Sequence, residues 1–173
     1  MAQLLKGAPV AAAITENLIV RAEALRQSGV EPKLAMLRIG ARVDDVVYEH
    51  AAARRCESVG ICTERTVLPA DCAEEDVILE LRRINADDTI HGCLMFRPLP
   101  KHLNERRICE ALSPLKDVDG MTFASLTTVF TRSGEGYAPC TAQSVVEALA
   151  EAPPLYPPTD LPALLLAYPR LIL

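Results

Sequence analysis

Three short strand-like runs constrain this chain more than any other feature: Lys33–Ile39 (KLAMLRI), Cys62–Leu68 (CTERTVL) and residues 90–96 (IHGCLMF), stopped by Gly40, Pro69 and Pro98. Each gap between them carries a helical pattern. Residues 44–59 open on Asp44 and Asp45, where acids stabilise a first helical turn, and close at Gly60. Residues 73–85 space Val77, Leu79, Leu81 and Ile84 as a helix would. Strands separated by helices pair in parallel through crossovers. The order therefore predicts an α/β fold: a three-layer domain with a parallel sheet flanked by helices, joined by right-handed connections.

The flanks extend this pattern and then break it. Residues 10–27 read as an amphipathic helix ended by Gly29, residues 104–112 as a short helix, and residues 141–151 as a helix capped by Thr141. Beyond Ala152 the prolines at 153, 154, 157, 158, 162 and 169 exclude a regular helix or central strand. Residues 1–151 are expected to form one domain, and residues 152–173 an irregular Pro/Leu-rich tail.

Charge and cysteine content narrow the function classes. With 18 Lys+Arg against 23 Asp+Glu the net charge is -5, so nucleic acid is not an expected partner. Six cysteines without a C-x-x-C pair or zinc-finger histidine spacing imply reduced thiols in a cytoplasmic protein and no metal site. The apolar stretch at residues 7–14 is cut short by Glu16 and Asn17. The run at 161–166 is far below the roughly 20 residues of a membrane helix, so no membrane association is expected.

Open parallel sheets bind ligands beyond the carboxyl ends of their strands, and three unusual segments lie there: residues 40–48, 97–100 (RPLP) and 116–120 (KDVDG). The two prolines stiffen the second segment, which suits a flat ligand. In an extended backbone Asp117 and Asp119 share a face, and Gly120 permits a turn. Either one carboxylate hydrogen-bonds an amino-pyrimidine edge, or both cap a turn.

In order and spacing, Tyr48…Arg54-Arg55-Cys56…Gly60-Ile61, Leu68-Pro69, His91-Gly92…Pro98-Leu99-Pro100-Lys101-His102-Leu103, Lys116-Asp117-Val118-Asp119-Gly120 and Pro139-Cys140-Thr141 resemble the methylenetetrahydrofolate dehydrogenase/cyclohydrolase family. The likeness spans about residues 3–151, and its RxDDxxYE, RRCE, FRPLP and PCTAQ wording is similar to a divergent clostridial-type branch. The resemblance implies one-carbon folate chemistry: oxidation of 5,10-methylenetetrahydrofolate by NADP, then hydrolysis of the 5,10-methenyl product. It implies a folate derivative as partner, with Tyr48 stacking and hydrogen-bonding it and Asp119 anchoring the pterin. It also implies a binding surface drawn from Met95, Phe96, Arg97, Pro98 and Leu99.

Departures from the family pattern qualify that expectation. The usual lysine four residues after the tyrosine is Ala52, and the usual glutamine before Leu-Pro-Leu-Pro is Phe96, followed by Arg97. Arg54 and Arg97 are the candidate replacements, with Arg54 and Asp119 as the catalytic pair. An arginine stabilises negative charge but is a poor proton shuttle. The family's NADP domain follows the helix near Thr141 with a glycine-rich motif, whereas no glycine follows Gly136 here. The chain is therefore expected to be a truncated catalytic half that binds no NADP and lacks dehydrogenase activity alone. Its alternative is an inactive folate-binding remnant, and a homodimer is a candidate assembly.

Overall fold

The computed structural model describes residues 6–131 and 136–150; the expected tail at 152–173 lies outside the described residues. In chain order the elements are α1 (Gly7–Gln27), β1 (Lys33–Ile39), α2 (Val43–Ser58), β2 (Cys62–Leu68), α3 (Glu74–Ala86), β3 (Gly92–Met95), α4 (Glu105–Cys109), α5 (Phe123–Thr131) and α6 (Cys140–Ala150). A 3-10 turn, Pro114–Lys116, leads into the KDVDG segment. The three strands form a parallel sheet in the order β2-β1-β3, as the strand–helix alternation requires.

Central strand β1 shows why the domain has three layers. Ala35, Leu37 and Ile39 enter one core with Val77, Ile78, Leu81 and Ile84 of α3. The alternate residues Leu34 and Met36 pack with Ala53 of α2 and Phe96 on the other face, and Arg38, of the same parity, pairs with Glu49 of α2. A strand buried on both faces has no polar face to alternate with its apolar one, hence the near-continuous KLAMLRI run.

Several element boundaries differ from the sequence reading, for identifiable reasons. Helix α1 starts at Gly7 rather than residue 10, because Pro9 falls in the first turn, where an N–H has no intrahelical partner anyway. In α3 the inward face is Val77, Ile78, Leu81 and Ile84; Leu79, expected inward, points to solvent because it lies about 200° around the axis from Val77. Strand β3 is shorter than residues 90–96. The Ile90 N–H turns back to the Asp87 carbonyl, and Pro98 has no N–H to extend the ladder.

The helix expected over 104–112 is confined to Glu105–Cys109, with Asn104 as its cap accepting from the Arg107 N–H at 3.1 Å. Helix α6 begins one residue early, since Gln143 donates to the Pro139 carbonyl, so Thr141 lies inside the first turn and is not its cap. Helix α5 has no counterpart in the sequence reading. Its TFASLTTVFT stretch is rich in β-branched and aromatic residues, which weakens a helical signal. The Thr122 hydroxyl nevertheless accepts from the Ser125 N–H at 3.1 Å, and Glu110 takes the Phe123 N–H at 2.8 Å.

Candidate active site

The three segments singled out beyond the strand ends come together around Tyr48, Arg97 and Asp119. Tyr48 sits on α2, its exposed ring standing edge-on to Phe96 with centroids 5.7 Å apart and planes at 81°. Ala52 lies one helical turn further on the same face and packs against the Met36, Ala53 and Phe96 cluster. Where the family pattern has a lysine and a glutamine, this chain therefore has a methyl group and a buried ring in one apolar wall. Arg54 is exposed and stands about 200° around the helix from Ala52, so the helix does not direct it to the same wall.

Arg97 enters from the facing loop, after β3 and before a cis Arg97–Pro98 bond. Its guanidinium lies 3.8 Å from the Asp119 carboxylate and 3.4 Å from that of Glu105. Arg42, at the start of α2, donates to the Pro98 carbonyl at 3.1 Å and ties the first segment to the second. Met95 and Leu99 are buried in the main core, behind the loop surface rather than on it.

The KDVDG segment splits the roles of its charged residues. Lys116 Nζ donates to the carbonyls of Ile84, Asn85 and Asp87 at 2.7, 3.1 and 2.7 Å, satisfying the open end of α3. Asp117 is fully buried and accepts the N–H groups of Met121 and Thr122 at 3.0 and 2.8 Å. Asp119 stays about one-third exposed, facing Arg97. Of the two readings left open for the aspartates, turn-capping describes Asp117, while the Asp119 carboxylate faces Arg97 and the Cys140 thiol, which hydrogen-bonds it.

Gly120 makes this geometry possible. Its φ of +64° suits glycine, and a Cβ there would come within 2.7 Å of the Tyr137 carbonyl and the Pro139 nitrogen. That close crossing carries Cys140 to the site, where its thiol donates to the Val118 carbonyl at 3.1 Å. Burial and the Asp119 carboxylate push the Cys140 thiol up, keeping it protonated. Burial, and then Asp119 and Cys140, likewise raise the Tyr48 phenol, which remains a hydrogen-bond donor rather than a base.

Three contributors escaped the sequence reading: Glu105, Arg42 and the buried Arg38–Glu49 pair. Arg38 did carry a signal, since a charge at an inward position of an apolar strand needs a partner. A groove of about 460 Å³ lies elsewhere, lined by Leu68, Pro69, Cys72, Asp76 and Glu80 beyond the end of β2. It contains none of Tyr48, Arg97 or Asp119, and the convergence of aromatic, cation and carboxylate makes the latter the chemically equipped site.

The sequence profile of the tetrahydrofolate dehydrogenase/cyclohydrolase catalytic domain matches residues 5–119. The chain belongs to this family. It is 45% identical over 149 residues to the bifunctional protein FolD of Alkaliphilus oremlandii, covering 86% of this chain and 52% of that protein. FolD of Clostridioides difficile is 44% identical over 147 residues, covering 85% and 51%.

Among solved structures, the FolD dehydrogenase/cyclohydrolase of Campylobacter jejuni superposes with a TM-score of 0.83 at 29% identity, covering 86% of this chain and 52% of that one. The Trypanosoma brucei enzyme, solved with NADP cofactor and inhibitor, gives 0.79 at 26% identity, covering 86% and 51%. The chain thus spans about half the length of the relatives it matches.

The described residues do not fit a nicotinamide dinucleotide. A pyrophosphate needs a glycine-rich strand-to-helix turn. The turn from β1 to α2 has a single glycine, Gly40, whose added Cβ would meet Ala70 at 3.0 Å, and β3 leads instead into Arg97-Pro98. No helix among the described residues is long and apolar enough to cross a membrane.

Proposed function

We propose that this chain binds a reduced folate between Tyr48 and Asp119 and hydrolyses 5,10-methenyltetrahydrofolate, with chemistry confined to folate and water. The observation that carries the proposal is the convergence of an aromatic ring from α2 with a cation and a carboxylate from two loops, at the carboxyl end of the sheet. Tyr48 supplies a face for the flat heterocycle and a phenolic donor, and Asp119 accepts from the pterin amino group and a ring nitrogen. Met95, Phe96, Pro98 and Leu99 back the site with apolar surface. The six unpaired thiols fit a reducing compartment, and we assign the activity to the cytoplasm.

In the hydrolysis, the oxygen of water bonds to the cationic methenyl carbon and a proton leaves to solvent. One of the two C–N bonds of the bridge then breaks as the adduct's hydroxyl gives up its proton, leaving a formyl group on one nitrogen and an N–H on the other. We assign to Arg97, beside Asp119, the role of stabilising the attacking oxygen as it loses its proton; Arg54 faces away from the Ala52 wall. Because arginine stays protonated, solvent rather than the protein takes the proton.

A second reading, folate binding without turnover, is favoured by one specific observation. Ala52 and Phe96 pack into one apolar cluster, where the family pattern has a lysine and a glutamine. Calorimetry with tetrahydrofolate, together with the rate of loss of 5,10-methenyltetrahydrofolate, separates the two. Binding lost in Asp119→Ala, plus a protein-dependent rate lowered in Arg97→Ala, is the expected result. Binding without any rate selects the second reading, and no binding to the wild-type chain overturns both.

A further inference from the structure

We propose that Glu105 is a positioning residue of this site, holding the Arg97 guanidinium off Asp119 so that the carboxylate stays open to ligand. The inference rests on the folate reading for its ligand, but its structural content is independent of it.

One carboxylate makes two contacts with the loop that follows β3. Glu105 Oε2 accepts the Leu99 N–H at 3.0 Å, and Oε1 faces Arg97 Nη1 at 3.4 Å. The other guanidinium nitrogen, Nη2, faces Asp119 Oδ2 at 3.8 Å, beyond hydrogen-bonding range. Arg97 therefore bridges two carboxylates from different elements and is hydrogen-bonded to the Glu105 side.

Glu105 is itself held in place. It is the first residue of α4, whose cap, Asn104, donates its N–H to Glu74 Oε2 at 2.9 Å. Arg107, a turn-mate of Glu105, pairs with Glu74 and, at 2.8 Å, with Glu75. These contacts fasten α4 to the start of α3. A carboxylate presented from such a fixed turn sets the direction of a long, flexible arginine side chain at little cost in ordering.

Without the Glu105 charge, the ion-pair partner left to Arg97 among the described residues is Asp119, with a short gap to close. Closing it would occupy the oxygens assigned to the pterin. The test uses Glu105→Gln, which keeps an acceptor for the Leu99 N–H but loses the charge, in wild-type and Arg97→Ala backgrounds.

Glu105→Gln should weaken tetrahydrofolate binding about two- to fivefold, the scale of a half-exposed ion pair. In the Arg97→Ala background it should have no further effect. Equal loss in both backgrounds overturns the proposal, because Glu105 would then act without Arg97. Glu105→Ala, which also strands the Leu99 N–H, should lower thermal stability where Glu105→Gln does not. A crystal structure of ligand-free Glu105→Gln reads the geometry directly. Arg97 within hydrogen-bonding distance of Asp119 supports the proposal, and a gap unchanged from wild type overturns it whether or not folate binds.

Discussion

The Arg38–Glu49 pair offers a sharp test of how α2, and Tyr48 with it, is placed. The two charges meet at 2.7 Å with side chains only 10% and 5% exposed, and a second Arg38 nitrogen donates to the Gly40 carbonyl. At an effective dielectric of about 20 the attraction amounts to about 6 kcal/mol, while removing each ion from water costs several kcal/mol. The pair should therefore contribute little net stability, yet removing one partner strands a buried charge. Glu49→Ala should cost about 3–5 kcal/mol, whereas the apolar double variant Arg38→Met/Glu49→Leu should cost far less, about 1 kcal/mol or below. Urea unfolding, read as a shift of midpoint at constant slope, measures both. A double variant as unstable as Glu49→Ala would refute the reasoning, since the loss would then come from packing rather than from an orphaned charge. The folate reading adds a second expectation: the double variant should fold but bind tetrahydrofolate less well, because an apolar contact fixes α2 less specifically than a hydrogen-bonded pair.

Three further outcomes follow from the same geometry. Asp117→Ala should destabilise the domain by about 2–6 kcal/mol in urea unfolding, from about 1–3 kcal/mol for each of the two stranded N–H groups, while Asp119→Ala should leave stability nearly unchanged. Hydrogen bonds from Arg83, with a smaller contribution from Thr66, hold the Glu80 carboxyl below its ordinary value of 4.5. The stabilisation this carboxylate gives is complete above that value and is lost as pH falls through the lower folded-state value, so Glu80→Gln should flatten the acid limb of the stability–pH curve. Burial pushes the Cys93 thiol up to about 12, so brief alkylation at pH 8 followed by mass spectrometry should modify the exposed Cys62 and leave Cys93 unmodified until the protein is denatured.

How far the sequence could be read depended on whether a feature was local. Strands β1 and β2 run from Lys33 to Ile39 and from Cys62 to Leu68, as read, because an apolar run ended by Gly40 and a β-branched run ended by Pro69 are local signals. Helix α5 was illegible because its β-branched and aromatic composition weakens the helical signal and part of its support is a Glu110 side chain thirteen residues away. The site divides in the same way. Tyr48, Arg97 and Asp119 could be singled out from motif, loop position and family resemblance, but spacing alone could not separate the roles of Asp117 and Asp119. Spacing places two aspartates on one face only while the backbone stays extended, and here the segment follows a 3-10 turn and bends again at Gly120. That bend turns Asp117 onto the N–H groups of Met121 and Thr122 and leaves Asp119 facing Arg97. Which carboxylate is left facing Arg97 is thus decided by what the other one is already bonded to, the N–H groups of Met121 and Thr122, which lie outside the five letters KDVDG.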